Sequence, residues 1–67
     1  MNITLNNSQE VIDKEKLTVA ELLQIKNFTF KLLIIKINDK VVKQQEYANA
    51  EIKDGDDVIV LHMISGG

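Results

Sequence analysis

The chain lacks cysteine and proline altogether, and its 67 residues include a single histidine, His62. Without cysteine it can form no disulfide, no thiolate metal site and no cysteine nucleophile. One histidine excludes a zinc site built from histidines within one chain. We therefore expect a small domain that depends on secondary structure and apolar packing, and we predict neither a metal site nor a cofactor.

Net charge and aromatic side chains are also limited. The formal net charge is −2, the pI is about 5.2, and the aromatic residues are Phe28, Phe30 and Tyr47. Proteins that bind nucleic acid usually present a basic face, and those that bind single strands also present aromatic rings on which bases stack. We therefore predict no nucleic-acid partner.

Long apolar runs are missing as well. The longest run covers residues 32–35, whereas a helix that spans a bilayer needs about 20 apolar residues. The first residues do not show the basic segment followed by an apolar stretch that is typical of a signal peptide. We therefore predict a cytoplasmic protein with no membrane partner.

The beginning of the chain has the pattern of a β-hairpin. Met1, Ile3 and Leu5 alternate with polar residues, and this period of two indicates a half-buried strand. Asparagine tolerates positive φ, so residues 6–8 are predicted to form a turn and residues 9–12 a short return strand.

The clearest local signal is the start of a helix. Thr18, followed by Glu21 three residues later, forms a capping box in which each side chain accepts a hydrogen bond from the other residue's backbone N–H. The cap accounts for both side chains, so we do not interpret them as a catalytic pair. We predict that the helix ends near Lys26, with Asn27 in the left-handed region.

The second half of the chain predicts three more strands. Residues 31–37 are apolar nearly throughout, which is typical of a strand covered on both faces, and residues 41–43 and 58–64 are also predicted strands. We predict a single helical turn around Tyr47 and a tight turn at residues 53–56, where a glycine is available for positive φ.

The predicted order is β-β-α-β-β-β, with the short helical turn before the last strand. One helix covers one face of one sheet, so the fold class is α+β, with a mixed sheet of about five strands. A chain of this length is enough for one domain and not for two. We assign residues 1–64 to that domain and residues 65–67 to a C-terminal tail.

Three aspartates surround the glycine of the predicted 53–56 turn, at positions 54, 56 and 57. One interpretation is a calcium loop, but an EF-hand requires Glu at its twelfth position, which is Ser65 when counting from Asp54. A solvated turn is the favoured interpretation. A contact with a basic partner remains open.

His62 lies in the last predicted strand, on the opposite face from Ile59, Leu61 and Met63. A catalytic histidine needs a carboxylate or a nucleophile beside it, and the sequence gives no reason to place one there. A structural or partner-contact role is therefore favoured. We predict partner contacts at His62, Met63 and Ile64, although a core position explains Met63 equally well.

The tail Ser65-Gly66-Gly67 is the remaining candidate for chemistry. A frayed end is the simplest interpretation. Glycine has no side chain, however, so a flexible Gly-Gly arm can enter a narrow channel of another enzyme and present the terminal carboxylate there. That carboxylate becomes reactive when a partner converts it to an acyl adenylate with ATP and magnesium. A nucleophile such as a sulfur donor can then displace AMP.

Six stretches spaced over nearly the full length resemble the thiamine-biosynthesis sulfur carrier (ThiS) family of the ubiquitin-like β-grasp superfamily. They are Met1-Asn2-Ile3-Thr4-Leu5-Asn6, Leu17-Thr18-Val19-Ala20-Glu21-Leu22-Leu23, Ile35-Lys36-Ile37-Asn38 followed by Val41-Val42, Glu46-Tyr47-Ala48, Asp54-Gly55-Asp56 and Ile64-Ser65-Gly66-Gly67. The order and spacing of these stretches together indicate the family, although no single stretch would.

Two features depart from the family. Tyr47 stands where relatives often have Trp. Residues 24–33 lack the usual turn glycine or proline, which leaves the helix-to-strand connection undetermined.

The resemblance implies a carrier that catalyses nothing itself. Such proteins are adenylated by an E1-like ATP-dependent enzyme at the terminal glycine, which matches Gly67, and then hold sulfur there as a thiocarboxylate. Gly66 matches its conformationally free neighbour. The implied partners are this adenylating enzyme, a sulfur donor such as a cysteine desulfurase, and thiazole synthase, which receives the sulfur. The family's fold has the first and last strands parallel at the centre of the sheet.

Other hypotheses remain open. One is a carrier with another client, as in the small subunit of molybdopterin synthase, or a ubiquitin-like modifier. Another is a non-covalent binding module whose Gly-Gly end is incidental. An enzyme is disfavoured because the sequence lacks the sets of residues that catalysis requires.

Overall fold

The computed structural model describes residues 1–28 and 33–62. The elements along the chain are β1 (Asn2–Leu5), β2 (Ser8–Val11), β3 (Leu17–Thr18), α1 (Val19–Ile25), β4 (Leu33–Ile37), β5 (Lys40–Val42), a 3₁₀ helix (Gln44–Glu46), β6 (Glu51–Ile52) and β7 (Asp57–His62).

The main sheet has five strands in the order β2-β1-β7-β4-β5. The central pair β1 and β7 is parallel, with Thr4 opposite Asp57 and Leu5 opposite Val58, and the other neighbours are antiparallel. This arrangement confirms the predicted mixed sheet of about five strands with one helix. It places the first and last strands beside each other at the centre.

Two further strands are a correction to the predicted order. β3 and β6 pair antiparallel in a separate two-stranded sheet, with Leu17 opposite Ile52 and Thr18 opposite Glu51. Two residues are too few to show a period of two, so the pattern of the sequence could not reveal them. The pairing joins segments that lie 35 positions apart in the chain.

The strand bounds differ slightly from those predicted. β2 and β5 each begin one residue earlier than expected, and β7 begins at Asp57. The predicted parts 31–32 and 63–64 of the neighbouring strands lie outside the described residues, as does most of the 24–33 connection beyond Phe28. The helical turn predicted around Tyr47 is confirmed, since the 3₁₀ helix ends with Tyr47 as its C-cap.

The core lies between α1 and one face of the main sheet. Alternate residues of the central strands point toward the helix, and they pack there with two residues of the helix itself. The buried set is Ile3, Leu5, Ile12, Leu17, Val19, Leu22, Ile35, Ile52, Val58 and Val60. Each such aliphatic side chain contributes roughly 1.5–3 kcal/mol when fully buried.

The predicted capping box at the start of α1 is confirmed. The Glu21 backbone N–H donates to Thr18 Oγ1 at 3.2 Å, and the Thr18 backbone N–H donates to Glu21 Oε1 at 3.0 Å. The hydrogen bond from the Thr18 backbone, followed by that from the Lys14 side chain, lowers the pKa of the Glu21 carboxyl. α1 ends with Lys26 as C-cap, and Asn27 has a φ of 56°, as predicted.

Asparagine and aspartate form the two tight turns of the main sheet. Asn6 and Asn7 have φ values of 50° and 65°, and Asn38 and Asp39 have values of 50° and 70°. Two successive residues with positive φ are typical of the two-residue hairpin turn whose twist matches that of its strands. Gly55 has a φ of 87°, so the predicted tight turn before the last strand is also confirmed.

Candidate functional site

The candidate site lies where β7 leads toward the C-terminal tail. The predicted site residues Met63, Ile64, Ser65, Gly66 and Gly67 lie outside the described residues. The structure describes the strand that precedes them, up to His62, and the groups that hold this strand.

On their β1 side, β7 and the residue before it are held by hydrogen bonds from the backbone and from one side chain. The Thr4 backbone N–H donates to the Asp56 carbonyl and the Asn6 N–H to the Val58 carbonyl, each at 2.9 Å. The next bond joins the Val60 N–H to Oδ1 of the Asn6 side chain at 2.8 Å. β1 has already turned away at this point, because Asn6 belongs to the β1–β2 turn.

On its other side, β7 pairs with β4 from Ile37 opposite Val58 to Leu33 opposite His62. Asn38, in the turn after β4, extends this pairing to the beginning of β7. Its backbone N–H donates to the Asp57 carbonyl at 2.8 Å, and its Oδ1 accepts the Asp57 N–H at 2.9 Å. Over its described length, β7 therefore has hydrogen-bonding partners in the backbone of its neighbouring strands and in the side chains of Asn6 and Asn38.

The acidic turn before β7 uses its carboxylates to hold backbone N–H groups. Asp54 Oδ1 accepts the Asn2 N–H at 2.6 Å, and Asp56 Oδ2 accepts the Lys53 N–H at 2.9 Å. Asp56 Oδ1 also accepts from Asn38 Nδ2 at 3.0 Å. These bonds support the interpretation of the aspartates as parts of an exposed turn, and they connect this turn to β1 and to the turn after β4.

The face of the sheet opposite the helix carries apolar side chains. Leu61 is 49% exposed and Val41 is 61% exposed. Ile34 lies opposite Leu61, while Lys36 lies opposite both Ile59 and Val41. We call these five residues the outer-face patch, which combines four aliphatic residues with one lysine on the same face of the sheet.

The outer-face patch corrects the prediction that the β4 segment is covered on both faces. Within the described residues, the helix covers one face, on which Ile35 is fully buried. Ile34 and Lys36 on the other face are half-buried. An apolar run predicts burial but does not distinguish a covered face from a face that a partner can cover, so the sequence did not identify Ile34, Lys36 and Val41 as a candidate surface.

His62 lies at the end of the described part of β7 and is exposed. The alternation of β7 places His62 on the same face as Val58 and Val60, which are buried. This confirms that His62 lies on the opposite face from Ile59 and Leu61. Its backbone lies opposite Leu33. A contact between His62 and a partner stays a prediction.

A family model and solved structures match the whole of this arrangement. The model of the ThiS family matches residues 2–67. The chain belongs to the ThiS family. The crystal structure of the thiamine biosynthesis protein ThiS from Geobacter metallireducens is 30% identical, with all of both chains covered and a TM-score of 0.89. The solution structure of a thiamine biosynthesis protein from the same organism is also 30% identical, with all of this chain and 88% of that chain covered and a TM-score of 0.81.

Family membership confirms the fold and the general role inferred from the sequence. The five-stranded mixed sheet with one helix is the ubiquitin-like β-grasp arrangement of ThiS, and the family supports a sulfur-carrier role in thiamine biosynthesis. Within residues 1–28 and 33–62, no helix combines the length and apolar character needed to cross a membrane.

Proposed function

We propose that this ThiS family member carries sulfur for thiazole formation as a thiocarboxylate on Gly67, and that it catalyses no step itself. The observation that carries the proposal is the family match over residues 2–67, which includes the Gly-Gly end. The structure supports it through β7, a central strand held on both sides that leads toward the tail. The proposed setting is the cytoplasm.

The chemistry divides into two substitutions at the Gly67 carboxyl group. First, a carboxylate oxygen attacks the α-phosphorus of ATP and pyrophosphate leaves, which produces an acyl adenylate. Second, the terminal sulfur of a persulfide on the donor forms a bond to the carbonyl carbon and AMP leaves; a thiol then cleaves the S–S bond of the resulting acyl disulfide, which releases the thiocarboxylate and leaves a disulfide. We assign the first step to an E1-like adenylating enzyme, the sulfur to a donor such as a cysteine desulfurase, and the delivery to thiazole synthase. This chain supplies the acyl group and the surface that its partners bind.

The proposed docking surface for the adenylating enzyme is the outer-face patch. It includes Ile59 and Leu61 of β7, so an enzyme bound to it is close to the strand that leads to Gly67. Burial of its aliphatic side chains provides affinity, and the positive charge of Lys36 favours a partner with an acidic side chain at the matching place. The predicted contact residues His62, Met63 and Ile64 follow Leu61 directly in the sequence.

Deletion of Gly67 tests the proposal directly. We expect the truncated chain to form no acyl adenylate with its adenylating enzyme, because the activated carboxylate would be displaced by one residue from the enzyme's ATP site. Adenylate formation is measured as an AMP adduct by intact-protein mass spectrometry. Thermal unfolding of the truncated chain is the control, and we expect it to match the full chain. An AMP adduct on the truncated chain would contradict the proposal.

The sulfur and the client need separate measurements. The chain purified from its native host should show the mass of one oxygen exchanged for sulfur, a change that a non-covalent binding module does not undergo. Adding the thiocarboxylate form to thiazole synthase should yield thiazole. If the thiocarboxylate form supported the formation of molybdopterin but not of thiazole, the client would be molybdopterin synthase instead.

A further inference from the structure

Asn6 performs two tasks at the end of β1. Its backbone has a φ of 50°, which turns the chain into β2. Its side-chain Oδ1 accepts the Val60 N–H at 2.8 Å, while its own N–H donates to the Val58 carbonyl at 2.9 Å. In a parallel pair, the carbonyl of a continuing β1 would be the acceptor for Val60. The amide oxygen of Asn6 takes the place of that carbonyl.

We propose that Asn6 is a positioning residue for the carrier tail, because its side chain holds β7 at Val60 after β1 has turned away. This role rests on the proposed function, since it concerns how Gly67 is presented to the adenylating enzyme. Val60 is only 8% exposed. An N–H group beside the core that loses its acceptor costs free energy, so the strand is expected to open there when Asn6 cannot accept.

A second asparagine provides an internal comparison. Asn38 also has a φ of 50° and also accepts a β7 backbone N–H through Oδ1, that of Asp57 at 2.9 Å. Asp57 is the first residue of β7, whereas Val60 is three residues closer to the tail. Loss of the Asn38 bond therefore affects the beginning of the strand, and loss of the Asn6 bond affects the part next to the tail.

The consequence for transfer concerns the length of chain between the sheet and Gly67. Seven residues follow Val60. The first two of them, Leu61 and His62, pair with β4. When Val60 is held on its β1 side as well, this part of β7 is fixed from both sides; when Val60 is released there, β4 alone holds it, and the strand has to be ordered again when the enzyme binds. Ordering costs conformational entropy, and a poorly placed carboxylate reacts more slowly. Ile59 and Leu61 of the outer-face patch flank Val60, but β4 pairs with both of them independently of Asn6, so docking itself should be unchanged.

Three variants test this role. Asn6→Gly keeps access to positive φ and removes the acceptor, Asn6→Asp keeps an acceptor oxygen, and Asn7→Gly is the matched control at the neighbouring positive-φ position. In Asn6→Gly we expect amide hydrogen exchange at Val60 to rise about fivefold relative to Val58, which corresponds to the loss of one hydrogen bond. We expect the kcat of adenylation to fall by about the same factor with unchanged Kd for the enzyme. Asn6→Asp should restore both values, and Asn7→Gly should change neither.

The outcomes separate the inference from the proposed function. Unchanged Val60 exchange in Asn6→Gly, or faster exchange with the kcat of the original chain, would overturn the positioning role. Asn38→Gly is a fourth variant, which removes the acceptor at the beginning of β7. An equal fall in kcat in Asn38→Gly and Asn6→Gly would overturn the positioning role too, because a general loss of stability would then explain both. An original chain that forms no adenylate with its enzyme would overturn the proposed function and with it the role in transfer, while the exchange of Val60 would still decide whether Asn6 holds β7.

Discussion

Asn and Asp occupy backbone positions in this protein that glycine often occupies elsewhere. Within the described residues, positive φ occurs at Asn6, Asn7, Asn27, Asn38 and Asp39, and at the single described glycine, Gly55. Asn and Asp tolerate this region better than other residues with a side chain. They also keep a polar group that glycine lacks, and at positions 6 and 38 this group bonds to β7.

At the same scale, Thr18 is expected to stabilise the beginning of the helix. Thr18→Ala removes the Oγ1 acceptor of the Glu21 N–H, so we expect the free energy of unfolding to fall by about 1 kcal/mol. Thr18→Ser retains a hydroxyl acceptor and serves as the control. Urea unfolding at neutral pH measures both variants, and equal losses in the two would contradict the capping role.

Glu21 should contribute to the dependence of stability on pH. Its pKa is lowered in the folded protein by the Thr18 backbone bond and by Lys14. A carboxyl whose folded pKa lies below its unfolded pKa stabilises the fold above the unfolded value, and this contribution is lost as the pH falls through the folded value. We expect Glu21→Gln to reduce the loss of stability on acidification below the ordinary glutamate range. Urea unfolding at neutral and acidic pH measures this loss, with Glu15→Gln as the control. If the free energy of unfolding fell equally on acidification in Glu21→Gln and in the original chain, the role of Glu21 would be contradicted.

At the scale of elements, the small β3–β6 sheet connects the beginning of the helix to the segment before β7. Leu17 and Ile52, which lie opposite each other, both belong to the core. The Val19 N–H also donates to the Ala50 carbonyl at 3.0 Å, and the Ala20 N–H to the Tyr47 carbonyl at 2.9 Å. Residues 47–50, which join the 3₁₀ helix to β6, therefore supply acceptors for N–H groups that the first turn of a helix leaves without internal partners.

Ile52 should be sensitive to small changes in volume. It is 1% exposed, so Ile52→Val removes one buried methyl group, and we expect a loss of about 1 kcal/mol in the free energy of unfolding. The control is Val11→Ala, at a position that is 75% exposed, where we expect a change within about 0.5 kcal/mol. Chemical denaturation of the two variants provides the comparison. A larger loss for Val11→Ala would show that β6 does not belong to the cooperative core.

At the scale of the whole molecule, the two faces of the sheet differ in whether the helix covers them. One face packs on the helix and holds the fold together. The other presents the outer-face patch, whose aliphatic side chains are half-buried or exposed. Because folding does not require that patch to be covered by the helix, substitutions there can separate binding from stability.

Leu61→Ser and Lys36→Glu make that separation measurable. We expect each to raise the Kd for the adenylating enzyme by about tenfold, Leu61→Ser through lost apolar burial and Lys36→Glu through repulsion of an acidic partner. Val11→Ser, on β2 and outside the patch, is the control. Calorimetric titration gives the Kd and thermal unfolding verifies the fold. Wild-type affinity in both patch variants would refute the proposed docking surface.

The parts of the fold that the sequence predicted are those decided by near neighbours in the chain. The capping box joins residues three positions apart, and the turns depend on the φ preference of two adjacent residues. The β3–β6 pair and the bond from Val60 to Asn6 join segments 35 and 54 positions apart. No local pattern contains that information, because such bonds form only once the core has brought the strands together.

For the tail, the sequence by itself determined the residue types, a serine and two glycines after a strand, and the resemblance of the whole chain to the ThiS family. That resemblance also implied that the last strand lies at the centre of the sheet, which the structure confirms. Only the tertiary structure decided that Asn6 and Asn38 hold this strand from opposite sides, and that its outward residues join Ile34, Lys36 and Val41 in one patch. The physical reason is that chemical identity belongs to single residues, whereas the neighbours of a strand are selected by packing of the whole chain.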